Sequence, residues 1–397
     1  MKKGLVLVLF LTFLAASASS QNLTKDTITA RLYIQKAEKL LDNFSIKKVD
    51  SVLAYSNTAA AIYKKHKITK GILYCLVQKI EVYQRLKDEE KVLKTHDSIQ
   101  VIAKTYLGEN SSQLAISYNY LGKTYKSLHK YDLSLQNFFK SIEMLKKLSL
   151  DSSMNASSTY NNIGAVYLVQ SDFKTALKYF QIALKICKRN SVGYNDNLAV
   201  FTKNTGTAYW YLSDTESAMT YMRKALVIFR NLYGENSYDV ADSYNSMGSI
   251  QYSMSQPDSA LFYYKKCVDV YIPLEGENNY LVAMVYNNIG IIYRDKGLLK
   301  NSIDYFEKSK QIYINLLGEK DMEVANSINS IGTVYNLMSD YPKALECFFK
   351  ALEIQKSIVG EKQIDVAYTF LNIGYTYYFK SEFDKSLEYF QKILAFK

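Results

Sequence analysis

The chain has few of the residues on which catalysis, metal binding and disulfide frameworks depend. Among 397 residues it has three His and four Cys, and neither set shows metal-ligand or C-x-x-C spacing. Its three Pro and 16 Gly exclude a Pro/Gly-rich linker and disfavour a turn-dense all-β protein. It contains no phosphate-binding loop, H-E-x-x-H or G-x-S-x-G motif. We therefore predict a non-catalytic protein with no metal site and no cofactor.

What the chain does have is enough apolar surface for an ordered core, since 48% of its residues are hydrophobic and 14% aromatic. Its formal net charge is +11, but basic and acidic residues are interspersed. A nucleic-acid-binding protein would concentrate its basic residues in a stripe or patch. We therefore expect no nucleic-acid partner.

The first 18 residues have the features of a signal peptide. Lys2 and Lys3 precede an apolar run from Leu5 to Ala16, and a small-residue cleavage site follows at Ala16-Ser17-Ala18. The run is shorter than the ~20 residues that span a bilayer, so cleavage is favoured over the alternative of an uncleaved anchor. No other stretch is apolar enough to cross a membrane. We predict an exported, periplasmic or secreted protein with no membrane span in its mature chain.

Internal repeats dominate the rest of the sequence. Seven glycines lie 42 residues apart: Gly122, Gly164, Gly206, Gly248, Gly290, Gly332 and Gly374. A second set with the same period begins polar loops: Gly108, Gly234, Gly276, Gly318 and Gly360. Around each glycine of the first set, apolar residues recur at spacings of three, four and seven, which is the pattern of helix faces. Each repeat is therefore predicted to be a hairpin of two helices.

The seven regularly spaced glycines need a physical reason, because glycine inside a helix costs about 1 kcal/mol relative to alanine. The simplest reason is close approach of the second helix, which has a small residue 12 positions and a bulky residue 16 positions after each glycine. The loop glycines are expected to end the second helices in a left-handed conformation.

The repeat sequence resembles the tetratricopeptide repeat (TPR). The resemblance rests on segments such as Tyr160-Asn161-Asn162-Ile163-Gly164-Ala165-Val166-Tyr167, followed by Ala176-Leu177, Tyr179-Phe180 and Ala183-Leu184. The 42-residue period and the Gly-Glu loops are most similar to the kinesin-light-chain type of TPR. The resemblance implies an all-α solenoid, a right-handed superhelix of antiparallel helix pairs. It covers residues 108–397 as seven repeats, and residues 26–107 look like degenerate hairpins.

The end of the sequence leaves a question about its last repeat. The predicted helix from Phe383 has apolar residues at Tyr389, Phe390, Ile393 and Leu394 and no following helix to cover them. We expect either self-association through this helix or a shortened version of a longer protein.

The resemblance also implies where partners bind. In the family, the residue three positions before the repeated glycine faces a concave groove, and five of the seven positions hold asparagine: Asn119, Asn161, Asn245, Asn287 and Asn329, with Lys203 at a sixth. An amide side chain can donate to and accept from a peptide backbone. The alternative is that these asparagines bond between neighbouring helices and fix the stacking register, and both uses can coexist.

A second groove position lies four residues after each glycine, and in five of the seven repeats it holds Lys126, Trp210, Tyr252, Arg294 and Tyr378. Trp210 and Tyr252 are possible binding anchors, although packing against the next repeat explains them equally well. Lys123, Lys126 and Lys203 favour acidic segments of a partner.

Two functions are compatible with these observations. The first is an exported scaffold that binds protein or peptide partners in its groove. The second is the sensory ectodomain of a membrane signalling system, of the kind that carries a histidine-kinase-like output module, whose output part is missing or on another chain.

Overall fold

The computed structural model describes residues 21–42, 48–108, 111–359 and 364–394. These residues form 18 α-helices and no strand, which confirms the all-α prediction. The predicted signal peptide, residues 1–18, lies outside the described residues. In the described part, no helix combines the length and the apolar character that a bilayer crossing needs. The chain divides into two compact units, Met1–Asp214 and Thr215–Lys397.

The first unit contains nine helices in its described part. They are α1 (Gln21–Asp42), α2 (Val49–Lys65), α3 (Thr69–Arg85), α4 (Glu89–Leu107), α5 (Ser112–Ser127), α6 (Tyr131–Lys147), α7 (Met154–Val169), α8 (Phe173–Asn190) and α9 (Asp196–Tyr211). Helices α1 to α8 form four successive hairpins, and α9 packs on α8. The first helix begins at Gln21, five residues before the predicted start of the hairpin region.

The second unit also has nine helices among its described residues. They are α10 (Thr215–Tyr233), α11 (Tyr238–Ser253), α12 (Pro257–Glu275), α13 (Tyr280–Asp295), α14 (Leu299–Leu317), α15 (Met322–Leu337), α16 (Tyr341–Val359), α17 (Ile364–Phe379) and α18 (Phe383–Leu394). Helix α10 packs on α11, and the others form four hairpins. We call α5, α7, α9, α11, α13, α15 and α17 the first helices; each has 16 residues.

Six of the seven regularly spaced glycines lie under aromatic rings. A methyl group added at Gly248 would lie 2.7 Å from ring atoms of Tyr264, and one at Gly290 would be equally close to Phe306. The same contact occurs at Gly122, Gly164, Gly332 and Gly374. The close approach that the sequence predicts is therefore made mainly by the bulky residue 16 positions later. The small residue 12 positions later lies at the same crossing, where Ser302 Oγ donates to the carbonyl oxygen of Gly290 at 2.8 Å.

In every hairpin whose turn lies within the described residues, a short turn joins the two helices through a residue in the left-handed conformation. In α7/α8 this residue is Ser171, with φ 63°. Its N–H donates to the carbonyl oxygen of Leu168, and the N–H of Asp172 donates to that of Tyr167, as in a Schellman motif. The carboxylate of Asp172 then accepts from the N–H of Thr175 and caps α8.

The loop glycines adopt a conformation different from the predicted one. Gly276 has φ 83° and ψ 170°, and Gly318 has φ 89° and ψ 168°. The φ is positive as expected, but the extended ψ places both residues outside the left-handed helical region, in a region that is essentially restricted to glycine. The left-handed residues lie in the hairpin turns instead, where four are serines and Lys87, His129 and Gly297 take the same place in the others.

The structure corrects the expectation for Tyr389 and Phe390 of the last helix, while Leu394 is exposed as expected. Phe390 lies over Gly374, and the ring of Tyr389 stacks on Tyr377 at 5.8 Å, so both pack inside their own hairpin. The apolar side chains that α18 exposes are Phe383, Leu387 and Leu394.

Candidate functional site

Three of the five groove asparagines bond to the next first helix of their own unit. Nδ2 of Asn162 donates to Oδ1 of Asn119 at 3.0 Å, and Nδ2 of Asn204 donates to Oδ1 of Asn161 at 2.9 Å. In the second unit, Nδ2 of Asn372 donates to Oδ1 of Asn329 at 3.2 Å. Each bond joins residues 43 apart, one more than the repeat period. These bonds set the register between neighbouring first helices, which is the stacking role left open by the sequence.

The remaining groove asparagines belong to the second unit. Asn245 is half-buried, and its Oδ1 is buried without a hydrogen-bond partner among the described residues. Asn287 is also half-buried. The use of these amides by a peptide backbone stays a prediction.

Tyr252 and Arg294 meet at a shared carboxylate. The hydroxyl of Tyr252 donates to Oδ2 of Asp295, and Nη2 of Arg294 lies 2.8 Å from Oδ1 of the same residue. The bond to Asp295 is the first cause that raises the pKa of Tyr252. Tyr252 and Asp295 are again 43 residues apart, so this contact also aligns neighbouring first helices. Tyr252 nevertheless keeps 39% of its surface exposed.

Lys123 and Lys126 on α5 are half-buried cations. Burial lowers the pKa of each lysine. The Lys123 ammonium lies 4.9 Å from the ring centre of Tyr120, whose hydroxyl donates to Glu81 at 2.7 Å. Among the residues that the structure describes, neither lysine has a carboxylate within ion-pair distance.

The other predicted site residues lie on the same helix positions but make different contacts. Lys203 is half-buried on α9. The ring of Trp210 lies 5.4 Å from that of Tyr211. Tyr378 is 54% exposed and contacts the rings of Phe379 and Phe383, each at 5.8 Å between centres.

A polar pocket of about 290 Å³ lies among α13, α15, α16 and α17, and we call it the α15–α17 pocket. Two predicted residues, Arg294 and Asn329, line it. The structure adds residues that sequence reasoning missed, namely Asn326, Gln355, Asp365, Tyr368 and Asn372. The signal that could have found Gln355 is its position in the repeat, where the five preceding repeats have Leu, Cys, Phe or Tyr.

The cysteines and acidic residues form no second site in the described part of the chain. No group of three His, Cys, Asp or Glu side chains is arranged to hold a metal ion among those residues. Cys75, Cys187 and Cys267 are buried free thiols. Burial raises the pKa of Cys75 to about 12, so this thiol is a poor nucleophile at neutral pH.

Similar folds occur in several solved structures. The apo form of RapI aligns with a TM-score of 0.67 and 13% identity over 94% of this chain and 97% of its own. The apo quorum sensor NprR from B. thuringiensis aligns with a TM-score of 0.60 and 13% identity over 88% of this chain and 97% of its own. A Rap protein complexed with competence and sporulation factor aligns with a TM-score of 0.55 and 14% identity over 93% of this chain and 98% of its own.

At these identities the structural likeness establishes the helical solenoid fold alone. No curated protein sequence matches the chain. A family model, the tetratricopeptide repeat, matches residues 155–231, 206–272, 281–357 and 323–397, which together are more than half of the chain. With its helix hairpins and glycine-ring contacts, the chain belongs to the tetratricopeptide repeat family.

Proposed function

We propose that this protein is an exported, non-catalytic TPR scaffold that binds protein or peptide partners along its row of first helices. The α15–α17 pocket carries the proposal, because Arg294 and Asn329 were predicted from repeat position and line the same cavity. Polar groups that converge in a concavity are typical of binding sites. The complex of the similar Rap protein with competence and sporulation factor supports a ligand-binding use of this fold.

The first unit is proposed to favour acidic segments, because Lys123 and Lys126 are half-buried and lack a carboxylate partner among the described residues. Desolvated lysines gain more from a partner's carboxylate than exposed lysines do. Self-association is proposed to use Phe383, Leu387 and Leu394, the apolar side chains that α18 exposes.

The binding proposal is tested by adding the full chain to fluorescein-labelled random hexapeptides and measuring binding by fluorescence anisotropy. We expect Arg294→Ala/Tyr368→Ala to weaken binding about tenfold, the effect of about 1.4 kcal/mol. The matched control is Lys224→Ala/Lys308→Ala, which removes two exposed side chains from second helices of the same unit. Equal loss in both double variants, or no binding by the wild type, would contradict the proposal.

Export is tested separately by mass spectrometry of the protein recovered outside the cytoplasm. Loss of residues 1–18 is the expected result, and a full-length protein retained in the membrane fraction would favour the anchor alternative. The likeness to the quorum sensor NprR makes a sensory role the second candidate, and it would require peptide binding together with a signalling output partner.

A further inference from the structure

Gln355 interrupts a buried apolar column. The residue 23 positions after each repeated glycine is apolar and at most 3% exposed in five repeats: Leu145, Cys187, Phe229, Tyr271 and Tyr313. In the next repeat this position holds Gln355, which is only 1% exposed. The change replaces the aromatic ring of the two preceding repeats with a smaller polar side chain at the α15–α17 pocket.

The amide of Gln355 is only partly satisfied. Its Oε1 accepts from the hydroxyl of Thr369 at 2.7 Å, and that hydroxyl in turn accepts from Nδ2 of Asn329 at 3.1 Å. Among the described residues, Nε2 of Gln355 has no hydrogen-bond partner. Gln355 therefore offers a donor that a ligand in the pocket can use.

The other pocket residues restrict what the ligand can be. Asp365 supplies a carboxylate with no ion-pair partner in the described part of the chain, while the guanidinium of Arg294 is already paired with Asp295. A ligand carboxylate would be repelled by Asp365, and an ammonium group has no acceptor for Gln355. A carboxamide has an acceptor oxygen and a donor nitrogen on separate atoms, so it can bond to both residues.

We propose that the α15–α17 pocket binds the side-chain carboxamide of an Asn or Gln residue in a partner peptide. The carboxamide oxygen accepts from Nε2 of Gln355, and its nitrogen donates to the carboxylate of Asp365. The phenol ring of Tyr368, 58% exposed at the pocket, covers the aliphatic part of the same residue. This inference rests on the proposed function, because it names the residue type that the peptide-binding site selects.

The test uses five hexapeptide sublibraries that carry fixed Gln, Asn, Glu, Lys or Leu at one position. Binding to the full chain is measured by fluorescence anisotropy. The wild type is expected to bind the Gln or Asn sublibrary about tenfold more tightly than the Glu and Leu sublibraries. Gln355→Tyr introduces the residue of the two preceding repeats, and Gln355→Leu the residue of the first; both should abolish this preference.

Two further variants make the test specific. Tyr313→Phe changes the equivalent position of the preceding repeat and should leave the preference intact. Asp365→Asn removes the repulsion of carboxylates and should raise binding of the Glu sublibrary severalfold. If circular dichroism shows that both Gln355 variants are unfolded, the Asp365→Asn variant is the deciding test. Increased binding of the Glu sublibrary then supports the inference, and unchanged binding contradicts it.

The possible failures are distinguishable. If the wild type binds peptides but prefers Leu, Lys or Glu, or if folded Gln355→Tyr keeps the Gln or Asn preference, the carboxamide inference is wrong and the proposed function survives. If the wild type binds no sublibrary, the proposed function fails as well. Binding of a neutral oligosaccharide such as maltotriose that is lost in Gln355→Tyr would reassign the pocket to a sugar.

Discussion

The hairpin α3/α4 and the regular hairpins differ at the same two positions of the crossing. In α11/α12 the first helix contributes Gly248 and the second contributes the ring of Tyr264. In α3/α4 the corresponding positions hold Ile80 and His96, both buried. The comparison teaches that such a hairpin forms without the glycine where an imidazole replaces the larger phenyl or phenol ring. The degenerate version, however, brings a titratable ring into the core.

The largest expected effect comes from adding a side chain on the glycine side of the regular version. Gly248→Leu should lower the free energy of unfolding by at least about 4 kcal/mol, although helix propensity alone favours the change. The reason is that even a β-carbon at Gly248 would lie 2.7 Å from the Tyr264 ring. Urea denaturation followed by circular dichroism measures this loss.

Two variants show whether the ring contact causes the loss. Ser259→Leu adds the same side chain at an exposed position of α12 and should change stability by no more than about 0.5 kcal/mol. The double variant Gly248→Leu/Tyr264→Ala should lose at least about 2 kcal/mol less free energy of unfolding than the summed losses of its two single variants. Additive single variants would show that the Tyr264 ring is not the obstacle.

The degenerate hairpin should show an acid sensitivity that the regular hairpins lack. Burial lowers the pKa of His96 to about 4, the neighbouring Asp97 opposes this shift and Lys140 adds to it. Because the unfolded chain has the ordinary pKa of about 6.5, it binds more protons between pH 6.5 and 4. Stability should therefore fall by about 3 kcal/mol as pH falls through this window, and be independent of His96 above it.

The control for this prediction is His96→Phe, which introduces the ring that most regular hairpins have. Urea denaturation from pH 4 to 7.5 measures the difference in stability between wild type and variant. This difference should be constant above pH 6.5 and should change by about 3 kcal/mol between pH 6.5 and 4, as the wild type loses stability. In the structure Nδ1 of His96 lies 3.1 Å from Oγ of Ser117, whose hydroxyl donates to the carbonyl oxygen of Leu114. A pH-independent difference would mean that His96 titrates normally in the folded protein.

The comparison also shows what a single sequence can and cannot reveal. The glycine period predicts the hairpins because few residue types are tolerated under a ring. The sequence offers the stacking bonds of the asparagines as one of two alternatives but does not identify their partners, because each bond joins positions 43 apart whereas the repeat aligns positions 42 apart. The pocket escapes because Gln355 lies on a second helix, outside the positions that the family resemblance assigns to the groove.

A smaller effect separates the two sets of glycines. Gly276→Ala should cost about 2 kcal/mol, because φ 83° with ψ 170° is a conformation that side chains disfavour. No atom lies within 4 Å of an added β-carbon there, so the loss comes from the backbone alone, unlike that at Gly248. Glu275→Ala, one residue earlier, is the control for thermal melting. A cost as small as that of the control would mean that the loop relaxes.

The smallest expected effect compares the same turn in the two kinds of hairpin. Lys87 in α3/α4 has φ 58° and Ser339 in α15/α16 has φ 60°, and in both turns the next N–H bonds back to a tyrosine carbonyl. Lys87→Gly and Ser339→Gly should each stabilise the protein by about 0.5 kcal/mol, since relief of the left-handed strain exceeds the added entropy of the unfolded chain. Gly297 already occupies this position in α13/α14 with φ 72°, so Gly297→Ser should cost a similar amount. Thermal melting is the measurement. A gain in stability for Ser339→Gly but none for Lys87→Gly would mean that contacts of the Lys87 side chain stabilise the turn of the degenerate hairpin. The two turns would then have the same backbone conformation but different sources of stability.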